Sequence, residues 1–365
     1  LFLILRSTLI ECLKTVLFEE ALMIGKNSSI VVVGTGAIGG VTAALMKNAG
    51  FNVEVVCKYP DLAEKIIHQG IHAFGIRGDV QVPMPAVATV KELSGKKDVV
   101  FLATKATDML QAARDLLPFL NDSSVVVSLQ NGLCEDAIGE VVGRHRTIGC
   151  VVGWGGTMHS PGEVEMTSSG EFIIGNIDHR PDDRLVPIKQ MLDTVLPTII
   201  TENTIGHLYS KLIINACITS LGALCGLYLG QMLSRAKIRR IFMAIMKEAI
   251  AVADGMGLRV EPYSGKLDYY KLTGNDSATA RLAAHLLIMV IGIKYRRLKS
   301  SSLQSLERGK PTEIDYLNGY ICAQGDRHGV DTPVNDAVVK MIREIEQGAR
   351  AISIKNFSEP EFGAF

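Results

Sequence analysis

Three groups of residues in the sequence are of types and at spacings that could do chemistry. In "KLIINACITS", residues 211–220, Lys211, Asn215 and Thr219 recur every fourth position among mostly apolar neighbours. Residues four apart share one face of a helix, so an ammonium, a carboxamide and a hydroxyl form a stripe about two turns long. A solvated helix face is wider and richer in charge. The stripe is better explained by a wet cleft that holds a polar ligand, with a purely structural use of the three groups as the alternative.

The second group is "GTGAIGG", residues 34–40. Gly34 permits a tight turn, Gly36 lets a backbone approach a pyrophosphate, and Gly39 lets helix and strand pack closely. The residues Gly34, Thr35, Gly36, Ala37, Ile38 and Gly39 are therefore the expected cofactor-binding turn, at a helix N-terminus that offers free amides and partial positive charge. The third group is polar residues that close strands: Lys58 in "VEVVCK", Lys105 in "FLATKAT" and Asn131 in "SLQNGL". Ligands of open parallel sheets bind outside the carboxyl ends of strands, so these residues point to one crevice with the glycine turn. Glu54 lies at the sequence distance of a ribose-binding acid, but two valines follow it and place it within the strand. Lys58 is better placed, which favours the phosphate of NADP; an ordinary loop lysine is the plainer reading.

The elements that would position these groups follow from hydrophobic periodicity. From residue 29 short Val/Ile-rich runs alternate with helical stretches, as in a parallel sheet with crossover helices. Between about 147 and 178, strands joined by Gly and Pro turns suggest antiparallel hairpins closing that sheet. After "PTIITEN" the pattern is helical to residue 350. The fold class expected is α/β: an N-terminal Rossmann-type dinucleotide-binding domain over 29–203, then an all-helical C-terminal domain over 204–350, with a tail over 351–365. Residues 1–28 are an extension; charges at Arg6, Glu11, Lys14, Glu19 and Glu20 interrupt its apolar run and spoil a signal peptide. Its plain reading is sequence upstream of a start at Met23.

The chain has 365 residues, 38 basic and 38 acidic side chains, and 47% hydrophobic residues. It is globular, and no overall field recruits nucleic acid or an anionic membrane. Seven cysteines without a CxxC pair or metal-ligand spacing fit a reduced, cytoplasmic setting and no metal site. The uncharged run 212–234, with Gly222, Gly226 and Gly230 four apart, could pass for a membrane span. Its Asn215, Thr219, Ser220 and Gln231 argue for a core helix instead, and "LAAHLLIMVIGI" at 282–293, too short to span and carrying His285, reads as a second core helix.

Ser301, in "SSSLQSLERGKPTEID", stands ahead of a helix, and Glu313 stands near the start of the next, where a carboxylate already favours the macrodipole. In order and spacing, "GTGAIGG", "ATKAT", "LQNG", "KLIINACIT", this segment and "GVDTPVN" resemble the ketopantoate reductase family over roughly residues 29–346. The resemblance implies NADPH-dependent reduction of 2-dehydropantoate to (R)-pantoate, in pantothenate and coenzyme A biosynthesis, between two domains. By similarity Lys211 is the catalytic lysine and Glu313 its partner carboxylate, while Asn131, Asn215, Thr219 and Ser301 contact substrate. Lys105 matches a lysine beside the cofactor, Lys58 falls where the family often has a phosphate-binding arginine, and Asn131 and Glu313 border the cofactor as well. The chemistry agrees: a ketone that receives hydride develops an alkoxide, which needs a donor already in place. Lysine in a dry cleft releases a proton more readily, and a nearby carboxylate orients it and limits that shift.

Three departures concern substrate. Thr219 stands where a second Asn is common, Cys134 replaces a frequent Gly, and 260–300 is longer than usual. A D-2-hydroxyacid dehydrogenase acting on another branched 2-oxo acid is thus one alternative, and a non-catalytic NADP-binding regulator another. The expected partners are a small 2-oxo acid and at most a second copy of the chain, a homodimer.

Overall fold

The computed structural model describes residues 24–274 and 277–365; the expectations about residues 1–23, Cys12 and Met23 included, lie outside the described residues. The Val/Ile runs form strands because they can be buried on both faces. Strands β1 (Ile30–Val33), β2 (Val53–Val56), β5 (Ala86–Val87), β6 (Lys97–Leu102), β7 (Leu120–Ser128), β8 (Thr147–Val152), β11 (Phe172–Asn176) and β12 (Thr198–Ile200) make one sheet of order β12-β11-β8-β7-β6-β1-β2-β5. Its central pairs are parallel, with Ile30 opposite both Val53 and Val99. Helices α1 (Ala37–Asn48), α2 (Pro60–Gln69) and α5 (Leu185–Asp193) seal one apolar core, while α3 (Ala106–Leu116) and α4 (Glu135–Val142) seal the other.

The stretch 147–178 corrects the expectation of hairpins closing this sheet. Strand β8 joins it parallel to β7, and β11 returns antiparallel to β8. Between them β9 (Gly155–Ser160) and β10 (Glu163–Ser168) form a hairpin that belongs to a second sheet, of order β4-β3-β10-β9, with β3 at Ile71–Gly75 and β4 at Val80–Val82. There β10 runs parallel to β3, with Val164 opposite Ala73. Gly and Pro turns mark where a chain reverses but not which sheet receives it, and β9 has no fully buried residue to declare a face.

The architecture changes between Ile200 and Thr204. Helix α6 (Thr204–Cys225) starts at Asn203, whose side chain accepts from the Gly206 N–H, and stops at Gly226 in the left-handed conformation. Around it pack α8 (Ala236–Gly255), α12 (Asn318–His328) and α13 (Pro333–Glu346). Tyr209 and Tyr269, both fully buried, anchor the helix by donating to the Ala249 and Ser210 carbonyls at 2.8 and 2.7 Å. Among the described residues α6 alone is long and apolar enough to cross a membrane, yet 83% of its most apolar window is buried in protein. The second apolar run behaves differently from its expected core role. In α10 (Ala278–Lys294) only Ala284, Ile288 and Gly292 are buried, because hydropathy records composition and not the neighbours available. The last residues do not trail: Phe357 and Phe362 are buried, and Ser353 N–H and Asn356 Nδ2 both donate to the Leu224 carbonyl at the end of α6.

Candidate active site

The glycine turn has the shape its sequence implies. Gly34 follows β1 at a φ of +104°, and a Cβ there would lie 2.8 Å from the Ala103 carbonyl oxygen. A Cβ on Gly39 would lie 2.0 Å from the Gly34 oxygen and 2.8 Å from the Ala103 Cβ, so this glycine sets how closely α1 meets the sheet. Gly36 instead borders open space. It caps α1 with no side-chain hydrogen bond, and no acidic residue occupies the first turn of that helix. Thr35 is buried, whereas Ala37 and Ile38 are partly exposed, and no acidic side chain of the first turn competes with a ligand for this helix start. The geometry fits a pyrophosphate.

The structure places Glu54 within β2, where it pairs with the buried Lys97 and is no ribose acceptor. Beyond the tip of β2, Lys58 is exposed and 3.6 Å from Asp108 in the first turn of α3. That acid competes with a phosphate for the lysine, but a solvated pair of this kind contributes only about 0–1 kcal/mol and does not close the position.

At the end of β6 the two halves of the chain touch. Lys105, just ahead of α3, donates from Nζ to Ser305 Oγ at 3.2 Å. The Ala106 N–H donates at 3.1 Å to Glu313 Oε1 from the helical half. Glu313 thus caps α3 from another part of the fold, rather than the short turn Ile314–Tyr316 that follows it. Next to it the loop after β7 closes in: Gly132 has a φ of +93°, and a Cβ there would meet the Tyr316 carbonyl at 2.6 Å. This contact brings Asn131, half-buried and beside Gly132, to the Glu313 turn.

Lys211 projects from α6 into the same region. Burial pushes its pKa down from 10.5 to about 8, opposed by the negative charges of Glu313 and Glu135. Glu135 is the residue that the sequence did not reveal. It opens α4, is fully buried, and accepts from the Cys134 N–H at 2.9 Å with Oε2, while Oε1 has no partner among the described residues. Burial raises its pKa to about 7. The signal available was an acidic pair, Glu135 and Asp136, in a helical first turn, which reads as ordinary macrodipole complementarity. Cys134 and Cys150 are buried in the same neighbourhood, and desolvation raises both thiols well above their ordinary range, so neither is a nucleophile.

Asn215 is half-buried one turn beyond Lys211. Thr219 is buried, one turn further on, and its hydroxyl donates to the Asn215 carbonyl at 2.7 Å. A hydroxyl committed to the preceding turn can only accept from a ligand. Ser301 is not ahead of a helix but is the first residue of α11 (Ser301–Glu307). Ser300 makes the cap, accepting from the Leu303 N–H at 3.0 Å, and lies against Gly222 of α6. Ser301 itself is exposed at the start of α11.

A glycine turn for a dinucleotide beside a desolvated lysine and two carboxylates defines a two-part oxidoreductase of the Rossmann class. Two family models, described as ketopantoate reductase PanE/ApbA and as its C-terminal part, match residues 30–179 and 203–346, and the chain belongs to this family. It is 24% identical over 322 residues to a 2-dehydropantoate 2-reductase of Archaeoglobus fulgidus, covering 87% of this chain and 98% of that one. A PanE/ApbA family ketopantoate reductase from Ralstonia eutropha superposes with a TM-score of 0.74 at 27% identity, over 88% of this chain and all of the other. A D-mandelate dehydrogenase solved with NADH and anilino(oxo)acetate has the same fold, with a TM-score of 0.74 at 20% identity and the same coverage.

Proposed function

We propose that the protein reduces 2-dehydropantoate to (R)-pantoate with NADPH, as a reduced cytoplasmic enzyme serving pantothenate and coenzyme A biosynthesis. The observation that carries this reading is the position of Lys211: desolvated, yet within the fields of Glu313 and Glu135. A bound nicotinamide supplies the hydride. The chain's own part is to seat the pyrophosphate on the turn Gly34–Gly39, to hold the 2-oxo acid with Asn131, Asn215 and Ser301, and to present the Lys211 ammonium to the ketone oxygen. With a pKa near 8 that ammonium is charged at neutral pH and close to balanced for proton transfer. Glu313, fixed by the Ala106 N–H, keeps the lysine oriented and holds its proton affinity up.

Lys58, with no acid at the tip of β2, supports NADPH over NADH. The shared fold does not choose, since an NADH enzyme has it too. A second reading, a D-2-hydroxyacid dehydrogenase for another branched 2-oxo acid, is favoured by one observation: the Thr219 hydroxyl is used within its own helix and does not replace an Asn donor. Oxidation of NADPH and of NADH, followed at 340 nm with 2-dehydropantoate and a panel of branched and aromatic 2-oxo acids, tests both. The expected result is highest kcat/KM for NADPH with 2-dehydropantoate; no turnover of any 2-oxo acid by a folded protein that binds NADPH would leave the regulator.

A further inference from the structure

Beside the helix that carries Lys211 lies a second cavity, of about 310 Å³, lined by none of the site residues described above. That volume is at the small end of the range for ligand pockets. Both halves of the chain wall it. Val151 and Ile173 of the main sheet, with Glu171 just ahead of β11, make one wall, and His207 and Ser210 of α6 make the second. Tyr263 and Ser264, in the loop between α8 and α9 (Tyr269–Thr273), make the third. Lys211 follows Ser210 and is turned about 100° away from it around the helix. Glu313 and Glu135, the carboxylates that act on Lys211, do not line this cavity. The cavity and the catalytic cleft therefore lie on different flanks of one helix.

Three polar groups of these walls are unpartnered. Ser210 is only 1% exposed, yet its hydroxyl makes no hydrogen bond among the described residues. A serine or threonine inside a helix can give its proton to the carbonyl one turn back, and further along α6 Thr219 and Ser220 do so, to Asn215 and Ala216. Ser210 does not: the Gly206 carbonyl takes the Glu261 N–H instead, at 3.3 Å. Three residues earlier, on the same flank, the ring nitrogens of half-buried His207 have no hydrogen-bond partner among the described residues. Burial lowers the His207 pKa against the opposing charges of Glu261 and Glu171, so its ring is neutral at neutral pH and can accept a proton donor. The Glu171 carboxylate likewise has neither an ion pair nor a hydrogen bond among the described residues. Buried polar groups left unpaired are costly, and a ligand that pairs them recovers that cost.

We propose that this cavity binds a small aliphatic ammonium ion with a hydroxyl at its other end. Glu171 is the one charged residue of the lining, and no Lys or Arg lines it, so a 2-oxo acid or the phosphates of a dinucleotide find no counter-charge there. The ammonium donates to the Glu171 carboxylate, the stronger kind of hydrogen bond, and to the His207 ring. The hydroxyl pairs with Ser210, and the carbon body lies against Val151, Ile173 and Tyr263. The bound ion touches both halves of the chain at the start of α6 and leaves the NADPH turn free.

Titration of the full chain by ligand-observed NMR, with and without NADPH, tests this with three five-carbon probes. Aminopentanol, pentanediol and hydroxypentanoate share one terminal hydroxyl and end otherwise in an ammonium, a second hydroxyl and a carboxylate. Aminopentanol should bind at millimolar concentration or below, with the same affinity whether or not NADPH is present. Pentanediol should bind at least about tenfold more weakly, as for loss of a charged hydrogen bond, and hydroxypentanoate not at all. Glu171→Gln should bring aminopentanol down to the affinity of pentanediol, and Ser210→Ala should weaken both. Should these variants not fold, Ser264→Cys keeps the proposal testable, because Ser264 is exposed and the six described native cysteines are buried. Alkylating Ser264→Cys with N-ethylmaleimide should abolish aminopentanol binding, and the same treatment should leave the wild type binding. No readout depends on turnover, so the result is independent of the reductase reading. Equal affinity for aminopentanol and pentanediol, competition with NADPH, a folded Glu171→Gln that binds the ammonium as the wild type does, or a cavity that takes up water alone and none of the probes would each overturn the proposal.

Discussion

Replacing Lys211 with Met should inactivate the protein and stabilise it at the same time. The fold lowers the Lys211 pKa from 10.5 to about 8, which corresponds to roughly 3.5 kcal/mol against the ammonium at about 1.4 kcal/mol per tenfold; water reaching this half-buried side chain reduces that to about 2 kcal/mol. At pH 7 the lysine is still charged, so the folded protein bears the whole penalty. The sign follows from proton counting: between pH 8 and 10.5 the unfolded chain holds the extra proton, so wild-type stability rises with pH across that window and is flat below it. Lys211→Met keeps the aliphatic volume and removes the charge. Its thermal midpoint at pH 7 should exceed that of the wild type by a few degrees, at about 1.3 °C per kcal/mol for a chain of 365 residues, and the gap should shrink toward pH 10. Turnover should drop by about 10²–10⁴-fold, as for loss of a positioned acid. Differential scanning fluorimetry from pH 6 to 10, beside NADPH oxidation, reads both. Equal midpoints at pH 7, or a gap that does not change with pH, would refute the desolvated ammonium.

The pH profile of wild-type reduction should fall above about 8, and Glu135→Gln should move that limb to lower pH by removing a negative charge that supports the ammonium; an unmoved limb in a folded variant would release Glu135 from the site. Lys58→Asp should weaken NADPH by about 1.5–3 kcal/mol, as for a charged hydrogen bond, and leave NADH unchanged in fluorescence titration. Asn215→Ala and Ser301→Ala should raise KM more than they lower kcat, and the opposite pattern would place these side chains at the reacting atoms. Gly39→Ala, whose Cβ would meet the Gly34 oxygen at 2.0 Å, should lower the thermal midpoint and NADPH affinity together; an unchanged protein would mean that the turn can shift freely.

Much of the cofactor half was legible because its signals are local. The glycine turn lies within seven residues, and the two valines after Glu54 reveal a strand interior without reference to anything distant. What escaped depends on contacts between remote segments. Strand β10 pairs with β3 some ninety positions earlier, and no local pattern records that partnership. Glu135 has the sequence of an exposed helix start and becomes a buried acid only because α6 is laid over β8, where a Cβ on Gly149 would lie 3.6 Å from the Glu135 Cγ and 2.6 Å from Thr204. Among Lys299–Ser302, three consecutive serines offer equivalent caps, and the packing of Ser300 on Gly222 chooses between them. The spacing of Lys211, Asn215 and Thr219 was visible, but not that the last of these turns its proton inward.

The bond from Ala106 to Glu313 couples the proton affinity of Lys211 to the separation of the two halves of the chain. Any opening of the cleft would draw Glu313 away from the start of α3 and admit water around the lysine, returning its pKa toward 10.5. An open molecule would then refill with a proton from the medium, and a closed one would be ready to part with it. Reduction of a ketone consumes one proton, and a site that opened between turnovers would take it up from the medium.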